Sequence, residues 1–255
     1  MELHLAVVDA FTAVPFAGNP AGVTVLDAYF DDALLAAIAR EMSLAETAFL
    51  VRRGDGDYDL RWFTPAAEVE LCGHATLASA HVLGGAGRFH TKSGLLTCAK
   101  DRDWIEMDLP ADEPVAGPVP EDLGLSGVRS FHRGRFDALI ELPDAASVRG
   151  LVADLGALAR LGTRGVIVTA PGDRPGIDCV SRVFAPNVGI PEDPVTGSAH
   201  CTLAAFWSGR LSRADLVGEQ ASARGGIVRM RLSGDRVAIS GQAVTVSQVT
   251  MTLPD

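Results

Sequence analysis

Two short stretches of this chain are apolar nearly all the way round a helix: GHATLASAHVL at 73–83 and GSAHCTLAAFW at 197–207. A helix with no polar face has to be covered on every side, so the remaining chain must wrap around each of them. Their surroundings match too. Arg61-Trp62-Phe63-Thr64-Pro65 precedes the first stretch and Arg182-Val183-Phe184-Ala185-Pro186 the second, 121 residues apart. Short repeats are weaker evidence than true arrays, but here the order of elements repeats as well. The first half reads as strands Leu3–Val8 and Ala21–Leu26, a helix over Asp31–Met42, strands Thr47–Val51 and Tyr58–Phe63, the buried segment, and strands Leu95–Ala99 and Trp104–Leu109. Leu34, Leu35, Ile38 and Met42 share one face of that first helix. The second half reads as strand Phe136–Leu142, a helix near Ala145–Leu161, strands Val166–Thr169 and Cys179–Phe184, the second buried segment, and paired strands near Ile227–Leu232 and Val237–Ser240. The tail Val244–Leu253 alternates as one more strand.

The expected fold is therefore α+β: two pseudo-symmetric halves, each a curved, mostly antiparallel sheet wrapped around a central helix. The N-terminal half is expected to take residues 1–112 together with the C-terminal strand 244–255, and the C-terminal half residues 121–243. The proline-rich stretch 113–120 is the expected linker.

Composition bounds the function. The chain has 255 residues, 47% hydrophobic and 21% charged, which is enough apolar material for a sizeable core. Its formal net charge of −10 argues against nucleic acid or an anionic membrane as partner. No apolar run reaches the ~18 residues of a membrane span. The opening MELHLAVVDA lacks the basic start of a signal peptide, and a cytoplasmic protein is expected. The cysteines, Cys72, Cys98, Cys179 and Cys201, form no CxxC pair, which excludes the usual zinc and dithiol motifs.

Each buried helix opens with Gly and a small or polar residue, Gly73-His74 and Gly197-Ser198. Helix N-termini carry unpaired N–H groups and partial positive charge, so they receive anions, and glycine lets a ligand approach the backbone. Ordinary capping by Ser198 or Asp193 is the plainer reading of one such start; two in matching places point to a small carboxylate ligand in a cleft between the halves. Taken singly, His74 would be a hydrogen-bonded core residue and Asp193, before Pro194, a turn former. Glu46 directly precedes an apolar strand between Ala45 and Ala48. Desolvation there would suit it to general acid–base work, although the local pattern also fits a surface turn. The corresponding place in the second half is expected to hold Arg164, so one carboxylate base serves rather than two. No metal is expected: His74 and His81 are seven residues apart, and no acid completes a ligand set.

Several stretches together resemble the phenazine-biosynthesis PhzF-like family of the diaminopimelate epimerase-like superfamily. They are Asp9-Ala10-Phe11-Thr12, Phe16-Ala17-Gly18-Asn19-Pro20, Ser43-Leu44-Ala45-Glu46-Thr47, FTPAAEVELCGHATLASAHVL, EDPVTGSAH and the Arg224-Gly225-Gly226 turn, in the family's order over nearly the whole chain. The resemblance implies the two-domain diaminopimelate epimerase-like fold, a homodimer, an interdomain site and no cofactor. It implies an isomerase that moves a proton on a small carboxylate. Glu46 would shuttle the proton, while His74 and Asp193 would orient the substrate and hold its charge. Gly73, Gly197, Ser198 and Asn19 would bind it. Related epimerases use one thiol at each central helix start. Here Cys72 stands at the first start and Val195 near the matching place, with Cys201 a turn inside the helix. A two-thiol racemase and a non-catalytic carboxylate binder are the alternative readings.

Overall fold

The computed structural model describes residues 1–253. The chain forms two compact units, one of Met1–Asp108 with the segment from Ser240 onward, the other of Leu109–Ile239. Residues 254 and 255, part of the expected C-terminal strand, lie outside the described residues.

In the first unit, strand Glu2–Ala10 pairs antiparallel with Asn19–Leu26, which runs parallel to Glu46–Arg52. That strand pairs antiparallel with Tyr58–Phe63, which runs parallel to Gly87–Thr91. Gly87–Thr91 then pairs antiparallel with Gly94–Asp101. The last strand, Ala243–Thr252, lies antiparallel along Glu2–Ala10, from Glu2 opposite Thr252 to Ala10 opposite Ala243. Helix α1, Asp32–Met42, covers one face of this sheet through Leu35, Ile38 and Ala39, packed with Leu3, Leu5, Phe49 and Phe63. Helix α2, Gly73–Val82, is buried from His74 to Ala80, as its lack of a polar face requires.

The second unit repeats the same alternation. Ser130–Arg133 pairs antiparallel with Asp137–Glu141, which runs parallel to Gly165–Pro171. Gly165–Pro171 pairs antiparallel with Cys179–Ala185, which runs parallel to Asp215–Gln220, itself antiparallel to Gly226–Ser233. The expected single helix near Ala145–Leu161 is instead two short ones, α3, Ala145–Arg149, and α4, Leu155–Ala159. Gly150 ends the first, Val152 lies 89% exposed between them, and Asp154 caps the second by accepting from the Ala157 N–H. Val148 and Leu158 still reach one core with Phe131, Ile140, Val168 and Phe184, so the broken helix does the work of α1. The central helix α5 spans Gly197–Leu211.

The expected linker differs in detail. Val115–Gly117, inside the proline-rich stretch, pairs antiparallel with Ser130–Arg133, and the chain leaves the first unit earlier, after Asp108. Backbone pairing, not proline content, decides there.

The internal repeat reaches side chains. Arg61 grips Glu68 with two hydrogen bonds of 2.8 Å, and Arg182 grips Glu192 with bonds of 2.7 and 2.8 Å. Each guanidinium lies 5.1 Å over a phenylalanine ring, Phe63 in one unit and Phe184 in the other. The register also corrects one expectation. Thr47 pairs with Phe63 and Val166 with Phe184, so the counterpart of Glu46 is Gly165, one residue after Arg164. A one-residue slip along a strand changes the face on which a side chain stands, so the difference is chemical.

Candidate active site

In the first unit the starts of two parallel strands deliver Asn19 and Glu46 to the start of α2. The parallel register sets Ala21 opposite Glu46, and Asn19 begins the same strand two residues earlier. The turn before Asn19 needs glycine. Gly18 has φ +65°, and a Cβ on it would stand 2.2 Å from the Ala10 carbonyl oxygen. The buried Asp9 carboxylate holds the same turn by accepting from the Phe16 N–H at 2.7 Å.

His74, on the first turn of α2, is the hub. Its Nε2 lies 3.0 Å from Glu46 Oε2, at ion-pair distance but without hydrogen-bond alignment. Its Nδ1 lies 3.2 Å from Asn19 Nδ2 and 3.6 Å from Cys72 Sγ. The side chains of His74 and Glu46 are only 7% and 12% exposed. Burial works against an imidazolium at His74, but the charges of Cys72 and Glu46 outweigh it and hold its pKa well above the ordinary histidine value. Burial, and then the Glu46 charge, push the Cys72 thiol up.

In the second unit Asp193 ends strand Ile190–Asp193, just before α5. Its Oδ2 accepts from Thr196 Oγ1 at 2.5 Å. The buried Gln220 side chain ties this turn down, donating to the Asp193 carbonyl at 2.7 Å and accepting from the Thr196 N–H at 2.8 Å. The Arg224-Gly225-Gly226 turn is anchored to it through Ser222, whose Oγ accepts from the Gly225 N–H and donates to the Pro194 carbonyl. Ser198 Oγ accepts from Arg164 Nη2 at 3.0 Å, and Arg164 is fixed in turn by two bonds to buried Asp137, at 2.9 and 2.5 Å. A Cβ at Gly165 would come within 3.0 Å of that Asp137 carboxylate. The second unit thus fills the Glu46 position with an Asp137–Arg164 pair.

The helix starts share one property. Asp31, Asp144 and Asp154 each cap their helix with a side-chain oxygen, whereas Cys72 of α2 and Thr196 of α5 make no such bond. Within their own units, the structure groups Glu46, His74, Gly73, Asn19 and Cys72 at one uncapped start, and Asp193, Gly197 and Ser198 at the other. Sequence reasoning missed Asp137 and Gln220. An acid opening an apolar strand was a signal for Asp137; Gln220 had none.

Two further expectations change, and the place of Cys201 does not. The counterpart of Cys72 at the second helix cap is Thr196 rather than Val195, which is wholly buried. Cys201 sits a turn inside α5, its sulfur 3.9 Å from the Gly197 carbonyl oxygen. His81 turns to Thr245 at 3.0 Å, yet an acid does join His74: Glu46, Cys72 and His74 each offer a ligand atom within 4.8 Å of the others.

The family model described as phenazine biosynthesis-like protein matches residues 8–249. An uncharacterized isomerase of Halalkalibacterium halodurans is 46% identical over 259 residues, covering 96% of this chain and 97% of its own length. A crystal structure of a PhzF-family phenazine biosynthesis protein from Enterococcus faecalis superposes with a TM-score of 0.94 at 39% identity, covering 99% of this chain and all of that one. A hydroxyproline epimerase from Agrobacterium vitis shares the fold at 12% identity and TM-score 0.66, over all of this chain and 93% of its own. With that match across its length and through both helix starts, this chain belongs to the phenazine biosynthesis-like, PhzF-type family of isomerases.

Proposed function

We propose that this enzyme moves a proton between two positions of a small carboxylate substrate, with Glu46 as the general acid–base and with no metal or organic cofactor. The observation that carries the reading is the Glu46–His74 contact at the uncapped start of α2. His74, 3.0 Å away, holds the Glu46 carboxyl in place to take a proton from carbon. The N–H groups at Gly73, and those at Gly197 and Ser198, bind the substrate carboxylate or the oxyanion that grows as the proton leaves. Asn19 holds the His74 ring and the substrate beside it. Glu46 then returns the proton to the second position, and Asp193 orients the substrate or assists that transfer. The partner is a small molecule, the location cytoplasmic and the assembly a homodimer in this reading.

The two-thiol racemase is disfavoured by two observations. The Cys72 thiol is pushed up where a catalytic thiolate needs to be brought down, and the matching cap is Thr196. Solvent-deuterium incorporation into unsaturated and α-hydrogen carboxylic acids tests the proposal. Incorporation that Cys72→Ser retains is expected. Absence of exchange with every such acid would leave a non-catalytic binder, and loss of exchange in folded Cys72→Ser would restore the racemase.

A further inference from the structure

Proton transfer does not exhaust the chemistry of the Glu46–Cys72–His74 group. A sulfur, an imidazole nitrogen and a carboxylate oxygen, one from each residue, lie within 4.8 Å of one another. Two ligands at the tetrahedral angle on zinc, with Zn–S about 2.3 Å and Zn–N about 2.0 Å, stand about 3.5 Å apart. Cys72 Sγ and His74 Nδ1 are already 3.6 Å apart. A second observation points the same way. His74 Nε2 and Glu46 Oε2 are buried and meet only each other, at 3.0 Å and without hydrogen-bond alignment. Buried polar atoms are seldom left so unless they serve a ligand or the chemistry. Thiolate with imidazole selects zinc and its borderline-soft neighbours over magnesium or calcium. Three protein ligands leave a fourth position open, as at zinc sites that also admit water or substrate.

We propose that Glu46, Cys72 and His74 bind a single thiophilic divalent cation, Zn2+ or a close analogue, and that the bound ion inhibits the enzyme. Binding replaces the thiol proton and whatever proton the ligating imidazole nitrogen carries, released to solvent; the carboxylate joins as it is, and nothing is oxidised or reduced. The ion then occupies the lone pair with which Glu46 would take a proton from substrate. The inhibitory role rests on the proposed function; the binding site does not. The surface group Asp55, Asp57 and His90 also clusters, but it has no thiol, and its acids are held by Arg53 and Arg88.

Cobalt(II) reports a thiolate ligand by its charge-transfer absorption and substitutes for zinc. Added to chelator-stripped protein, it should give that band, saturating at one equivalent and bleached by equimolar Zn2+. Cys201→Ala and Asp57→Asn should keep the band. Cys72→Ala should lose it, with zinc affinity down at least about 100-fold, beyond the usual cost of losing only a supporting residue. Should Cys72→Ala not fold, Cys72→Ser decides by the same readout: loss of the band supports the site, and persistence overturns it. Absence of the band from the parent protein overturns it as well. Deuterium exchange that continues under saturating zinc overturns the inhibitory role alone. Failure to find any exchanging substrate counts against the proposed function, while the cobalt band still decides the site.

Discussion

Each residue of the first helix start owes its character to its neighbours. Glu46→Gln keeps shape and removes the titratable oxygen, so exchange should fall by roughly 10²-fold or more, with the circular dichroism spectrum unchanged. Activity within a few-fold of the parent would reject Glu46 as the base. His74 gives a stability test. Its folded pKa is raised above the unfolded value of about 6.5, so its pairing stabilises the protein fully below about pH 6.5. That contribution is lost as pH rises through the folded pKa. The melting temperature of the parent should therefore fall relative to His74→Gln as pH increases from 6.5. A gap that stays constant or widens with pH would mean that His74 is not held protonated. Glu46 and His74 were legible in the sequence because an acid before an apolar strand and a histidine on an apolar helix are both out of place. Their 3.0 Å approach, and the part played by Cys72, were not, since residues 26 and 28 positions apart in sequence meet only through strand register.

At the scale of elements, the two halves use one plan for different chemistry. The first opens its third strand with Glu46; the second opens the matching strand with Gly165 and lets Asp137 and Arg164 occupy the space. Gly165→Ala would push a methyl to 3.0 Å from a carboxylate already clamped by Arg164, and overpacking of this kind costs about 1–3 kcal/mol. Thermal denaturation should show that loss, and an unchanged melting temperature would mean that Asp137 moves aside freely. In α5, His200 donates through Nδ1 to the Thr196 carbonyl and is kept neutral by burial, its pKa lowered to about 4. Its neutral form stabilises the protein above the unfolded pKa of about 6.5, and that stability drains away as pH falls from there toward 4. His200→Asn should flatten this acid limb in a plot of melting temperature against pH; an equally steep limb would place its cause elsewhere. Element types were largely legible, because period-two alternation and all-round apolarity are local. The single helix expected over Ala145–Leu161 was not one, since Leu151 and Leu155 keep a helical spacing across a break that Gly150 and Asp154 impose.

At the scale of the whole molecule, the chain returns to its first unit to finish it. Ala243–Thr252 pairs along all of Glu2–Ala10, and Leu253 is buried against Leu3 and Leu5. A chain truncated after Gln242 leaves that strand with an open edge and an uncovered core, so it should lose the cooperative melt and become sensitive to protease before Asp108. A truncated chain that melts as the parent does would show the last strand to be dispensable. No helix among the described residues is long and apolar enough to cross a membrane. By itself the sequence determined the duplication, the two buried central helices, the α+β class and the family, because each is written in local pattern or in motif spelling. The tertiary structure decided which residues face one another: that Gly165 answers Glu46, that Thr196 answers Cys72, and that an acid, a thiol and an imidazole share one buried corner. Pairing register sets those meetings, and it is fixed by long-range hydrogen bonds and core packing that no short window of sequence contains.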